Sequence, residues 1–212
     1  NVSLIGTLLL PYATSDGKNC AAKKLFISGT FESVPEYAFC LCTSLTNVVL
    51  ESANLKTIGE NAFYCCRGLN CDISNIVLPS VTTIGAYAFA ADGGASSGKK
   101  MAIKGTVDVK QLDYLGDSAF LQCPNMQKFI ARSGGITSIP AGGTWTGVFF
   151  GTGLKHLELN CPKLNSVGAN VFKNSTSLTN IVIGSTNLVT WGSNLSCANL
   201  KTVTFYGESN NT

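Results

Sequence analysis

Charge is scarce in this chain. Only 13 % of its 212 residues are Asp, Glu, Lys or Arg, and there is a single histidine. Fifteen basic against twelve acidic side chains leave a formal net charge of +3, and no basic run exceeds Lys23-Lys24 or Lys99-Lys100. No tract of the kind that holds nucleic acid or an anionic membrane surface is present. Long apolar runs are missing too: none approaches the roughly 18 residues of a membrane span, and Leu8-Leu9-Leu10 is stopped by Pro11. The chain opens at Asn1 without a basic n-region and apolar h-region, so no signal peptide is expected within it; a mature or excised product opens in the same way. No glycine-rich phosphate loop follows a strand, and no paired carboxylates recur at matched positions. An enzyme is therefore not expected, and neither is a cofactor. The nine cysteines are an odd number, so at least one thiol is unpaired within a monomer.

What the chain has in quantity is apolar side chains, 45 %, and they recur. Val167-Gly-Ala-Asn-Val-Phe172 is repeated as Ile58-Gly-Glu-Asn-Ala-Phe63, Ile84-Gly-Ala-Tyr-Ala-Phe89 and Leu115-Gly-Asp-Ser-Ala-Phe120. Proline replaces the glycine in Val34-Pro35 and Ile139-Pro140, and Trp191-Gly192 begins a worn copy. The anchors Val34, Ile58, Ile84, Leu115, Ile139, Val167 and Trp191 are 24, 26, 31, 24, 28 and 24 residues apart. A period in the twenties marks a solenoid. Upstream of each anchor the apolar steps also repeat: Leu154, Leu157, Leu159, Leu164 match Leu45, Val48, Leu50, Leu55, then Leu178, Ile181, Ile183, Leu188 and Met126, Phe129, Ala131, Ile136. Two copies are trimmed, Ile76-Leu78-Val81-Ile84 and Val107-Val109-Leu112-Leu115.

The alternating positions predict a short strand in each copy, apolar side chains inward, with successive strands side by side in a parallel sheet. In the opposite wall Gly permits a tight turn, the small Ala allows close approach and Phe fills the interior. Residues 1–24 depart from the repeat. They are expected to form an N-terminal cap, with strands at Val2-Ser3-Leu4 and Leu8-Leu9-Leu10 and a turn between Pro11 and Asn19, ahead of a solenoid over 25–212. The segment Gly93-Gly94-Ala95-Ser96-Ser97-Gly98 reads as an exposed loop.

L-x-x-L-x-L joined to I-G-x-x-A-F, with Cys three residues before the first leucine position, resembles the BspA-like class of leucine-rich repeats, over about residues 25–205. The resemblance implies a right-handed curved solenoid of about seven copies, with short parallel strands, turns and short helical segments. It also implies a secreted or bacterial cell-surface protein that adheres to, or binds, a host or neighbouring-cell protein. The asparagine common three residues after the strand is replaced by Ala53, Gly134, Pro162 and Thr186.

Cys42, Cys66, Cys123 and Cys197 occupy the column before the first leucine position, and Ser175 takes the same place. They read as an inward ladder in which Cys acts as a small hydrophobe and weak donor. Cys40 and Cys65, outside it, are close enough in the repeat for a disulfide if geometry allows. Neither the Cys65-Cys66 nor the Cys40-x-Cys42 spacing suits zinc, so no metal is expected. His156 and Cys161 do not make a dyad, since His156 is at an outward strand position and Cys161 begins a turn. Candidate contacts are outward residues: Lys128, Lys155, His156 and Lys201 as a basic stripe if their strands stack in register, with Glu158 and Asn180 beside them. Read otherwise, these are solvated side chains. Trp145, on the loop Gly142–Gly147, is either an exposed contact or folds back onto the coil. The expected partner is a protein met through the sheet. The alternatives are a spacer within a longer surface protein and a carbohydrate-binding module, the last short of exposed aromatics.

Overall fold

A computed structural model gives the fold. It describes residues 2–5, 22–91, 99–193 and 197–206; the expected strand at Leu8–Leu10, the turn from Pro11 to Asn19 and the loop at Gly93–Gly98 lie outside these. The chain forms a parallel β-solenoid of about seven turns. Each regular turn contributes one longer strand and one two-residue strand. The longer strands are β1 (Val2–Ile5), β2 (Lys24–Ser28), β4 (Asn47–Glu51), β7 (Lys104–Val109), β9 (Asn125–Ala131), β11 (His156–Asn160), β13 (Asn180–Gly184) and β15 (Thr202–Tyr206). The short ones are β3 (Ser33–Val34), β5 (Thr57–Ile58), β6 (Thr83–Ile84), β8 (Tyr114–Leu115), β10 (Ser138–Ile139), β12 (Ser166–Val167) and β14 (Thr190–Trp191). No α-helix occurs among the described residues; the one helical segment is a 3₁₀ turn, Ile73–Asn75.

Every strand pair is parallel, and the register is unbroken except for a shift between Gly105 and Thr106 where β7 meets β9: Leu157 faces Phe129 on one side and Ile181 on the other, and Leu159 faces Ala131 and Ile183. These inward side chains are buried. β1 pairs with β2 through Val2–Leu25 to Ile5–Ser28, so it lies in the same sheet as the longer strands. A third wall comes from the turns carrying the Gly-x-x-Ala-Phe phrase. There Phe39, Phe63, Phe89 and Phe149 each donate a backbone N–H to the following turn, at Ala62, Ala88, Ala119 and Val171. Between the walls the phenyl rings form a column. Phe39, Phe63, Phe89, Phe120, Phe149 and Phe172 stack at centroid spacings of 5.2 to 5.8 Å, and Trp191 continues the stack at 6.2 Å.

The recurring phrase works differently from the sequence expectation at one position. Its glycine does not supply the turn. The left-handed backbone falls two residues later, on Tyr37, Asn61, Tyr87, Ser118 and Asn170, all with φ near +55°. The glycine instead lets turns approach: a Cβ on Gly85 would lie 2.4 Å from the Glu60 nitrogen, and one on Gly116 2.2 Å from that of Ala86.

Both sheets are interrupted, which the expectation of one continuous parallel sheet did not anticipate. In the third turn the strand expected around Ile76–Leu78 is absent. Asp72 caps the 3₁₀ turn by accepting from the Ser74 N–H at 3.0 Å, and Pro79 follows at once, without an N–H to give a ladder. Main-sheet order is thus β1-β2-β4 and then β7-β9-β11-β13-β15. The short ladder divides into β3-β5-β6-β8 and β10-β12-β14. The second break has a clear cause. Gly59, Gly85, Gly116, Gly168 and Gly192 each donate to the anchor carbonyl of the turn before; Pro140 stands at that position and cannot donate to Leu115. Pro35, the other such proline, directly follows β3, which begins its ladder.

The ring column makes Phe89→Ala the sharpest test of the stacking. Phe89 is wholly buried between two parallel rings, so the substitution removes contacts to both neighbours. Unfolding stability by urea denaturation should fall by about 3–5 kcal/mol.

Candidate binding surface and cavities

The outward side chains of the main sheet are brought into rows by the register. Lys128, His156, Asn180 and Thr202 share one row across β9, β11, β13 and β15. Ile130, Glu158, Val182 and Thr204 form the next outward row. Lys155 and Lys201 precede their strands and are linked through Thr179, whose N–H donates to the Lys155 carbonyl and whose carbonyl accepts from Lys201 N–H at 2.9 Å. Lys155 and Lys201 thus stand in the row before that of Lys128 and His156, so the three exposed lysines occupy two adjoining rows rather than one stripe.

Three members of the first row are tied together by side-chain hydrogen bonds. Thr202 Oγ1 donates to Asn180 Oδ1 at 2.6 Å. Asn180 Nδ2 then donates to His156 Nδ1 at 2.9 Å, which leaves Nε2 to carry the ring proton and face Glu158 Oε2 at 3.5 Å. A second outward tie, the Arg132–Asp108 ion pair, joins β7 to the end of β9. The sheet thus presents an ordered polar surface whose groups are fixed before any ligand arrives.

Trp145 is exposed, 55 %, and does not fold back onto the coil. It lies on an excursion between β10 and the Val148-Phe149 turn, away from the sheet face that carries Lys128 and His156. The excursion is held by Asn170 Nδ2 donating to the Gly142 carbonyl at 3.3 Å and by Lys173 Nζ donating to Thr144 at 3.0 Å. Exposed aromatics are also more numerous than sequence reasoning allowed: Tyr37 and Tyr114 are each about half exposed. Tyr37 holds the left-handed position of the recurring phrase and Tyr114 stands directly before the anchor Leu115, each an outward position of its copy.

The cysteine column is inward, as the spacing implied. Cys66 Sγ donates to the Phe39 carbonyl at 2.8 Å, Cys123 to Phe89 at 3.2 Å and Cys197 to Phe172 at 3.6 Å. Ser175 makes the equivalent bond to Phe149. Each links one turn to the phenylalanine of the turn before. Cys42, in the same column, departs from the thiol expectation: it is disulfide-bonded. Cys40 and Cys65 are thiols, so the disulfide contemplated for them is not formed. Burial pushes the Cys66 and Cys123 thiols far up and Cys161 to about 11; such thiols are protonated and poor nucleophiles at neutral pH. Cys161 points inward, toward the Ala131 and Ser133 carbonyls, while His156 points outward, so the two do not meet. Serines take over the stapling expected of asparagine: Ser52, Ser80 and Ser185 donate to the Phe31, Leu55 and Leu164 carbonyls of the preceding turns at 2.6 to 2.8 Å.

Two of the cavities among the described residues mark the places where the ladders break. The larger, about 700 Å³, sits beside the missing strand of the third turn, with Leu50, Ala53, Leu78 and Pro79 as its apolar floor and Lys56 and Lys110 at its sides. Two adjacent shortened turns leave this notch, and the trimmed spacing of those copies was its signal in the sequence. The smaller, about 250 Å³, lies at the β8–β10 break. No group of three or more His, Cys, Asp or Glu side chains placed to hold a metal occurs among the described residues.

Stacked parallel turns, an inward ring column and a Cys/Ser column define a leucine-rich-repeat solenoid. More particularly, a model of the BspA type leucine-rich repeat region matches six copies over residues 18–141 and 113–212, and the chain belongs to that family. A solved leucine-rich repeat protein from Bacteroides ovatus ATCC 8483 is similar at 19 % identity with a TM-score of 0.38, over 87 % of this chain and 55 % of that one. The chain thus spans about half the length of that protein. No curated protein matches.

Two outcomes follow from the cysteines. Cys66→Ala, which removes a buried donor, should cost about 1 kcal/mol in urea unfolding, while Cys66→Ser, which keeps one as Ser175 does, should cost less. The raised thiol pKa values carry a pH dependence as well. The folded state holds its thiol protons more tightly than the unfolded chain, so this stability is complete below the ordinary thiol value of 9.0 and declines as pH rises toward about 11 for Cys161. Thermal unfolding between pH 8 and 11 should show the decline.

Proposed function

We propose that this chain is a non-catalytic interaction module that binds a protein partner through the outward face of its main sheet. The family supports a protein-interaction or structural repeat module in general. The observation that carries the finer reading is the hydrogen-bonded series Thr202–Asn180–His156, with Glu158 of the next row facing the ring, beside Lys128, Lys155 and Lys201. A row fixed across three strands loses little side-chain entropy on binding, and solenoids offer such extended faces to partners. The lysines favour a partner whose contacting surface is acidic.

Location at the cell surface or outside the cell is part of the same proposal. Its support is the disulfide at Cys42, since disulfides persist in oxidising compartments. The partner is then a host or neighbouring-cell protein, met by adhesion. A second reading, a spacer within a longer solenoid, is favoured by the last described strand: Val203 and Phe205 sit at inward positions of β15 yet are 39 % and 54 % exposed, whereas Ile181 and Ile183 beside them are buried.

Surface plasmon resonance against purified extracellular-matrix and plasma proteins tests the first reading. At least one should bind, more weakly at higher salt, and K128E/K155E/K201E should weaken that complex by about tenfold or more without changing the unfolding temperature. A folded sample that binds none of them would favour the spacer.

A further inference from the structure

The break between β8 and β10 leaves main-chain groups that every other step of the short ladder uses. Elsewhere the pattern is constant. Lys56 and Thr57 N–H donate to Glu32, Thr82 and Thr83 to Lys56, Asp113 and Tyr114 to Thr82, and Asn165 and Ser166 to Thr137. By the same pattern Thr137 and Ser138 would donate to Asp113, and residue 140 to Leu115. Residue 140 is proline, and none of these bonds forms. Two N–H donors and two carbonyl acceptors therefore open into a cleft of about 250 Å³.

The side chains round that cleft are Tyr114, Asp113, Asp117, Thr137, Ser138 and Pro140. Tyr114 is 53 % exposed and offers an aromatic face. Asp113 uses Oδ1 to accept from Gly135 N–H at 2.7 Å, and Asp117 uses Oδ1 to accept from the Ser118 hydroxyl; each carboxylate keeps its second oxygen for another donor. No lysine or arginine lines the cleft.

We infer that this cleft is a binding site for a neutral pyranose sugar. The chemistry matches group by group. A pyranose carries several hydroxyls that both donate and accept. The carboxylate oxygens and the Asp113 and Leu115 carbonyls accept from them, and the Thr137 and Ser138 N–H groups donate to them. One face of such a ring is lined with C–H bonds whose positive edge suits the negative face of Tyr114. Two carboxylates and no cation in the lining disfavour acidic sugars and other anions. The site lies on the short-strand wall, away from the main-sheet face, so it stands independently of the protein-binding reading.

The test is a heteronuclear NMR titration of the full chain with glucose, galactose, mannose and N-acetylglucosamine in turn. At least one should bind in the millimolar range expected of a shallow open site, with its largest shifts at the Thr137 and Ser138 amides. Tyr114→Ala, an exposed change that leaves the fold intact, should weaken that sugar by about tenfold or more. Pro140→Gly restores the missing donor to Leu115; it should close the cleft, abolish binding and raise the unfolding temperature. No shift with any of the four sugars, shifts centred on another surface, or unchanged affinity in Tyr114→Ala would each overturn the inference.

Discussion

Everything in this molecule depends on burial between turns. One turn has too little thickness to cover its own apolar side chains, so each phenylalanine is buried only because another lies above and below it. Spacings of 5.2 to 5.8 Å put successive rings in van der Waals contact, and each buried ring contributes on the order of 1.5–3 kcal/mol. The remaining regularities serve that contact. Glycine sits where a neighbouring backbone leaves no room for a Cβ, and Cys or Ser sits where a side-chain donor can reach the carbonyl of the turn before. The short strands end where the chain must swing across to the next wall.

A structure built by repetition has few places that differ from the rest. Here the differences are concentrated at two breaks. The third turn gives up its strand to a 3₁₀ turn between Asp72 and Pro79, and a notch with two lysines results. The fifth turn begins with Pro140, and the lost N–H opens a cleft beside Tyr114. Neither break unstacks the rings, because the phenylalanine column runs past both. The interior therefore tolerates local loss of backbone pairing, and that loss exposes polar main-chain groups on an otherwise satisfied surface.

The outer sheet face works the other way, through regularity. Register alone aligns Lys128, His156, Asn180 and Thr202, residues from four separate copies, and hydrogen bonds then fix three of them relative to one another. This gives the surface order without a dedicated loop or lid. β15 pairs only with β13 among the described residues, and Val203 and Phe205 at its inward positions remain partly in water.

The sequence by itself determined the solenoid, its period, the parallel strands, the inward phenylalanines of the recurring phrase and the inward cysteine column, because each depends on a pattern that recurs from copy to copy. It also marked both breaks, as trimmed spacing in one case and as a proline for glycine in the other, without saying what they would do. Only the tertiary structure decided which strands pair, that the third turn lacks its main-sheet strand, and that Trp145 stands apart from the face bearing His156. It likewise decided that Cys42 rather than the Cys40–Cys65 pair is oxidised and that Tyr114 borders a cleft. The reason is physical. Periodicity reports which way a side chain points within its own turn, whereas cavities, disulfides and unpaired backbone groups depend on the distance to the next.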